Sequence, residues 1–298
     1  MEVLSLFDGI SCGMVALERA SIPVERYCAY EIEPNAIKIS KKNYPNIIQY
    51  GNVKAADFST HAGSDLIMAG FPCQDLSINK ADRKGLKGAR SGLFWELVRA
   101  IEEVKPKYFL VENNYKMPKE DEETISETLG VKPLLINSSN VSAQQRQRLY
   151  WTNIPGVTQP EEKEIVVKDI IDQEYYGKEN LINEVHFNGK ETRRELQNKP
   201  LRIGTIGNGG QGERVYSVYG KTVTLKANGG GRGAKTGLYL INNTVRKLTP
   251  KEAERAQTLP DNYTYIDGIS DTARIQTIEN IRVSQSERRH RGMVRPLI

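Results

Sequence analysis

Along the first 150 residues, short apolar runs alternate with segments whose apolar positions recur at helical spacing. Residues 2–6 predict a strand, followed by the sharp turn Phe7-Asp8-Gly9-Ile10 and a helix over 11–20. A second strand is expected over 27–31, and Pro34 suits the first turn of a helix running to about Asn43, where its missing N–H costs nothing. Residues 65–69 predict a third strand, ending at Gly70-Phe71-Pro72-Cys73. A helix over 93–104 stops before Pro106, the run 108–112 is the next strand, and 134–138 and 149–152 predict two more. Such alternation is the pattern of a parallel α/β sheet.

After Pro155 the pattern changes. Glycine clusters (Gly207, Gly209, Gly210, then 229–231 and Gly233) separate short β-type runs at 215–219 and 222–225. They predict a small, loop-rich β module that buries little core. A helix returns over 249–257, with Thr249 as N-cap before Pro250. From Glu279 onward apolar periodicity fades, and a poorly ordered tail is expected.

Composition narrows the class. With 38% hydrophobic and 27% charged residues the chain reads as an ordinary soluble globular protein. No run approaches the roughly 18 apolar residues of a membrane span. The amino terminus lacks a basic stretch followed by an apolar one, so a cytoplasmic location is expected. Three cysteines without CxxC spacing argue against a disulfide framework or a cysteine zinc site. His61, His186 and His290 show no metal-ligand spacing, and no metal is expected.

Charge is unevenly spread. Residues 155–189 hold three lysines and eight acids, whereas 190–246 hold eleven Lys/Arg and three acids. Residues 281–298 add five arginines against one glutamate. A polyanionic partner would meet the 190–246 region and the tail, although a solvated basic face explains the same distribution.

Several stretches could carry chemistry. The glycine turn after the first strand lets backbone approach a ligand at the carboxyl end of the sheet, and Glu31, closing the second strand, could accept ribose hydroxyls. The spacing is not GxGxxG. Cys73, just past a buried strand, is a candidate thiolate nucleophile, and Glu112 at the end of its strand would face the same crevice. In Gln144-Gln145-Arg146-Gln147-Arg148 the two arginines stand at i, i+2, on one side if the segment is extended. The basic, glycine-containing stretch 80–92 suits a loop closing over an anion. The run from Gly229 to Thr236 approaches a P-loop, but Ala234 stands where glycine is required.

In this order, the segments resemble the DNA (cytosine-5)-methyltransferases over about residues 1–280. The likeness is densest at Ser5-Leu-Phe-Asp-Gly9, Asp65-Leu-Ile-Met-Ala-Gly-Phe-Pro-Cys-Gln74, Val111-Glu-Asn113 and Gln144-Gln-Arg-Gln-Arg148, and continues from Arg246 through Glu252, Arg255 and Gln257 to Pro260. Length and the 215–239 stretch are more similar to bacterial and phage members, and Asp75-Leu-Ser77 with Arg83-Lys-Gly-Leu86 to the eukaryotic de novo branch. The resemblance implies a Rossmann-like α/β fold that uses S-adenosylmethionine, with a small β target-recognition module. The boundaries drawn on it are 1–155 for the catalytic and cofactor-binding domain, 156–245 for recognition, and 246–298 for a segment returning to the catalytic domain.

The resemblance also implies roles. Cys73 would attack cytosine C6, Glu112 would bond N3 and the exocyclic amine, and Arg146 and Arg148 would hold O2. The base must leave the duplex stack to be reached. Cofactor contacts would come from Phe7, Asp8, Gly9, Ile10, Glu31, Ile32, Asn52, Val53, Gly70, Pro72 and Asn280. DNA contacts would come from Ser77, Lys80, Arg83, Lys84, Lys87, Arg90, Thr224, Leu225, Arg232 and Lys235. Double-stranded DNA is the expected partner of a monomer, with a companion restriction endonuclease and no membrane. Three departures stand out: Asn52 for the family's aspartate, Asn114 for a valine, and an arginine-rich end in place of Gly-Asn and an apolar helix. The last keeps open the alternative of a DNA-binding relic unable to hold cofactor; the resemblance also leaves open a cytosine-5 methyltransferase acting on transfer RNA.

Overall fold

The computed structural model describes residues 1–72, 85–88, 91–175, 180–225 and 230–279. It divides into two compact units, the first built from residues 1–136 and 147–159, the second from 137–146 and from Pro160 to the end of the described chain.

The first unit is a sheet with helices. Its strands are β1 (Glu2–Leu6), β2 (Arg26–Tyr30), β3 (Ile48–Gln49), β4 (Leu66–Ala69), β5 (Tyr108–Asn114), β6 (Leu134–Asn137) and β7 (Gln147–Thr152), in the order β3-β2-β1-β4-β5-β7-β6. Helices α1 (Cys12–Arg19), α2 (Pro34–Asn43), α3 (Phe94–Val104) and α4 (Lys119–Leu129) connect them. The central strands read as unbroken apolar runs because both faces are covered. Leu4, Leu6, Ile67, Ala69, Phe109 and Val111 enter one core cluster, whereas Val3, Leu66, Met68 and Leu110 enter the other. β1, β2, β4 and β5 are parallel, but β7 runs antiparallel to β5. The all-parallel expectation fails there because the 138–146 connection between β6 and β7 holds only a 3-10 turn, Ser138–Asn140, and no crossover helix.

The second unit contains β8 (His186–Phe187), β9 (Arg202–Thr205), β10 (Arg214–Ser217), β11 (Leu238–Ile241) and β12 (Thr244–Arg246), with sheet order β12-β11-β10-β9-β8. The expectation of little core is overturned. Val215, Leu238 and Val245 pack on one face with Leu181, Leu201 and Ile203, while Tyr216, Tyr239 and Ile241 pack on the other with Val167, Leu248 and Ala256. Period-2 alternation thus gives this sheet two buried faces. Residues 222–225 form no strand; Thr222 makes a single bridge to Gln144. The glycines serve close packing: a Cβ on Gly212 would overlap the Gly230 carbonyl.

α5 (Pro250–Ala256) starts as the sequence predicts. The Thr249 hydroxyl accepts from Glu252 N at 3.2 Å, and the Glu252 carboxylate accepts from Thr249 N at 2.8 Å. Leu248 and Ala256 bring this helix into the second unit's core, so residues 246–279 group with that unit rather than with the first. α6 (Asp271–Glu279) follows, in a stretch where the sequence predicted no helix. The expected disordered tail lies outside the described residues.

Candidate active site

The turn after β1 is held open by three left-handed residues, Phe7, Gly9 and Ser11 (φ 55°, 63° and 61°), of which only one is glycine. Asp8 stabilises it from inside. Its buried carboxylate accepts from Ser11 Oγ at 2.5 Å and from Tyr27 Oη at 2.7 Å, so this side chain faces the core rather than a ligand. Ile10 is likewise buried. Glu31, one residue beyond β2, is fixed by three backbone donors: Gly9 N at 2.7 Å, Ile32 N at 2.8 Å and Glu33 N at 2.9 Å. Its oxygens retain acceptor capacity for a diol. Ile32 is 69% exposed, an aliphatic surface available to a planar ring. Asn52 is exposed at the start of the next turn; its Oδ1 accepts from Lys54 N at 3.0 Å and keeps one lone pair, with Val53 buried behind it.

At the neighbouring edge, the register Ala69↔Val111 sets Gly70 beside Glu112. Asn113 Nδ2 donates to the Phe71 carbonyl at 3.1 Å and Ser91 Oγ to the Pro72 carbonyl at 3.0 Å. The chain is therefore pinned on both sides up to Pro72. Glu112 is 9% exposed, and its carboxylate meets Arg148 Nε at 2.7 Å. The antiparallel β5–β7 register, Asn114↔Arg148, delivers that guanidinium. Arg148 also donates to the Gln147 carbonyl at 2.8 Å. A largely buried, charge-assisted pair thus stands beside the turn that leads to Cys73. Cys73 itself lies outside the described residues, as do Asn280, Ser77, Lys80, Arg83, Lys84 and Arg90.

Other expected residues are placed differently. Arg146 precedes β7 and belongs to the second unit, where its N–H donates to Asn137 Oδ1 at 3.1 Å, so it does not share a strand with Arg148. Leu225 is fully buried, and Thr224 Oγ1 donates to the Gln145 carbonyl at 2.8 Å. Leu225 thus faces the interior rather than a groove, whereas Thr224 is half-buried. Arg232 is exposed and paired with Glu184 at 2.5 Å. Lys235 is half-buried with φ 75°, and Lys87 is exposed on a short turn. Among the described residues no cluster of His, Cys, Asp or Glu could hold a metal ion.

Comparison with known proteins decides the family. The profile for C-5 cytosine-specific DNA methylases matches residues 1–280. The chain belongs to this family. It is 31% identical to the type II methyltransferase M.HhaI of Haemophilus parahaemolyticus, over 88% of this chain and 85% of that protein. It is 28% identical to the type II methyltransferase M1.ScrFI of Lactococcus lactis subsp. cremoris, over 91% and 72%. Among solved structures, the Entamoeba histolytica methyltransferase EhMeth superposes with TM-score 0.68 at 17% identity, covering 95% and 93% of the two chains. A putative DNA modification methyltransferase from an E. coli prophage gives 0.64 at 16% identity, covering 93% of each. At those identities the structures speak for the fold alone.

Within this C5-cytosine DNA methylase, some motif residues are structural. Arg246 forms a buried two-pronged pair with Glu252, both bonds at 2.8 Å. Glu252 also caps α5 and accepts from Asp172 N at 3.0 Å. Asn113, which ties β5 to the turn before Cys73, had no assigned role in the sequence reading. Its position directly after a strand-end acid was the available signal. No helix among the described residues is long and apolar enough to cross a membrane.

Proposed function

We propose that this methylase transfers a methyl group from S-adenosylmethionine to C5 of a flipped cytosine in a short duplex DNA site, with Cys73 as nucleophile. The Glu112–Arg148 pair beside the pinned Gly70–Pro72 turn is the observation that carries the reading. Glu31, Ile32 and the Phe7–Ile10 turn would hold the cofactor, through ribose hydroxyls, adenine and backbone respectively. When bound, S-adenosylmethionine supplies an electrophilic methyl group on a sulfonium.

The chain's own residues perform the activation. Cytosine C5 is a poor nucleophile until a thiolate adds at C6, which turns C5 into an enamine carbon. Arg148, adjacent to the base, favours the Cys73 thiolate and stabilises charge developing on O2. Glu112, oriented by Arg148, bonds N3 and the exocyclic amine as electron density accumulates there. Once C5 is substituted, its proton leaves to a base and the C6–S bond breaks, returning the thiolate.

Cys73→Ser should abolish methyl transfer while leaving duplex affinity within a few-fold of wild type. Radiolabelled methyl incorporation and a gel-shift titration on the same preparation measure both. Wild-type transfer rates in the serine variant would remove Cys73 from the mechanism. The target sequence is reported by bisulfite sequencing after expression in a methylation-free host.

A further inference from the structure

Lys221 is an unusual residue for the interior of a protein. Only 1% of its surface is exposed, and among the described residues no carboxylate bonds its ammonium. Instead Nζ sits among four backbone carbonyls: Ser139 at 2.6 Å, Ser142 at 3.0 Å, Lys163 at 3.4 Å and Ile165 at 2.5 Å. These oxygens only accept, whereas an ammonium only donates. A neutral amine would turn its lone pair toward a carbonyl, so the cage selects the charged form. Burial opposes this by pushing the pKa below 10.5, and Glu162 and Asp169 contribute favourable charge from a distance.

The cage has a further consequence through the segments it joins. Two of its carbonyls belong to the 138–146 connection, which runs directly into β7. Next to Lys221 in sequence, residues 222–224 also bond that connection: Thr222 N to the Ala143 carbonyl at 2.7 Å, Gln145 N to the Thr222 carbonyl at 3.3 Å, and the Thr224 hydroxyl to the Gln145 carbonyl. Ser138 N to the Arg146 carbonyl at 3.0 Å and Asn140 Nδ2 to the Pro160 carbonyl at 3.0 Å brace it as well. The Lys221 ammonium brings a buried charge to these contacts, and Arg148 lies three residues beyond Gln145.

We propose that Lys221 is a positioning residue of the methyl-transfer reaction, a tethered cation whose carbonyl cage fixes the 139–146 segment from which Arg148 enters its strand. The inference rests on the methyltransferase reading above. Its signature is specific to a cation: a small free cation of similar size should substitute for the ammonium, as carbonyl cages replace an ion's hydration shell.

Three measurements test it. In native wild-type protein, amine-directed labelling followed by peptide mass spectrometry should modify Lys221 far more slowly than exposed Lys190; labelling at comparable rates would contradict the cage without any mutation. In Lys221→Met, kcat for methyl transfer should fall by about 10²-fold, the cost of a misplaced catalytic group, with KM for DNA changed by less than about threefold. Amide exchange over 139–146 should accelerate in the same variant. In Lys221→Ala, ammonium or potassium should restore part of kcat, whereas tetramethylammonium at equal ionic strength should not. A Lys221→Met enzyme with wild-type kcat, or equal restoration by all cations, overturns the positioning role. Inactive wild-type protein would instead defeat the functional reading and leave the labelling result to decide the cage.

Discussion

Glu112 and Arg148 show how much a single ion pair depends on its surroundings. Their side chains are 12% and 16% exposed, so water screens neither well. Removing one partner leaves the other charge poorly compensated, and Arg148→Met should cost about 3 kcal/mol in urea unfolding. The double variant Glu112→Gln with Arg148→Met should recover much of that loss in stability while remaining inactive. If the single and double variants were equally unstable, the 2.7 Å contact would not be a coupled pair. The sequence singled out Glu112 at a strand end and Arg148 in a basic extended run but could not pair them. Pairing needs β7 to run antiparallel to β5, and nothing in a strand's apolar pattern encodes its direction. Arg146 shows the opposite failure: i, i+2 spacing implies a shared side only where the backbone is extended, and β7 begins one residue later.

At the scale of elements, the legible features were those with local causes. Pro34 starts α2, and Thr249 with Glu252 starts α5 by bonds within one turn. Thr249→Ala should therefore lower stability by about 1 kcal/mol, read as a shift in the denaturation midpoint with an unchanged slope. A larger loss is conceivable only through Glu252, whose buried carboxylate also holds Arg246; an unchanged midpoint would show the cap to be dispensable. α6 was illegible because its buried face is half polar. Arg274 reaches Glu254 Oε1 at 3.1 Å and Thr264 Oγ1 at 3.1 Å, and with Thr277 it shares that face with Ile275 and Ile278. Two isoleucines broken up by a buried ion pair make too short an apolar stripe for hydrophobic spacing to detect. The glycine clusters misled for a related reason. They suggested loose loops, whereas Gly212 lets two backbone segments approach, with Gly233 N donating to the Gly212 carbonyl at 2.7 Å.

For the molecule as a whole, chain order and spatial grouping differ. Residues 138–146 lie between β6 and β7 in sequence yet belong to the second unit, bonded to residues 221–224 and 163–165. Such long-range exchange leaves no mark in composition, whose glycine and charge content change only after Pro155. The family, by contrast, was readable because its chemistry sits in short runs at strand ends, each legible over a few residues. The central claim is that Cys73 bonds covalently to cytosine C6 during methyl transfer. The most direct test incubates the protein and S-adenosylmethionine with duplexes carrying 5-fluorocytosine at the methylated position, where the missing C5 proton blocks release of the enzyme. Mass spectrometry should find DNA joined to the peptide containing Cys73, only when the methyl donor is present. Methylation of normal duplexes without any such adduct, or an adduct on another residue, would contradict the account.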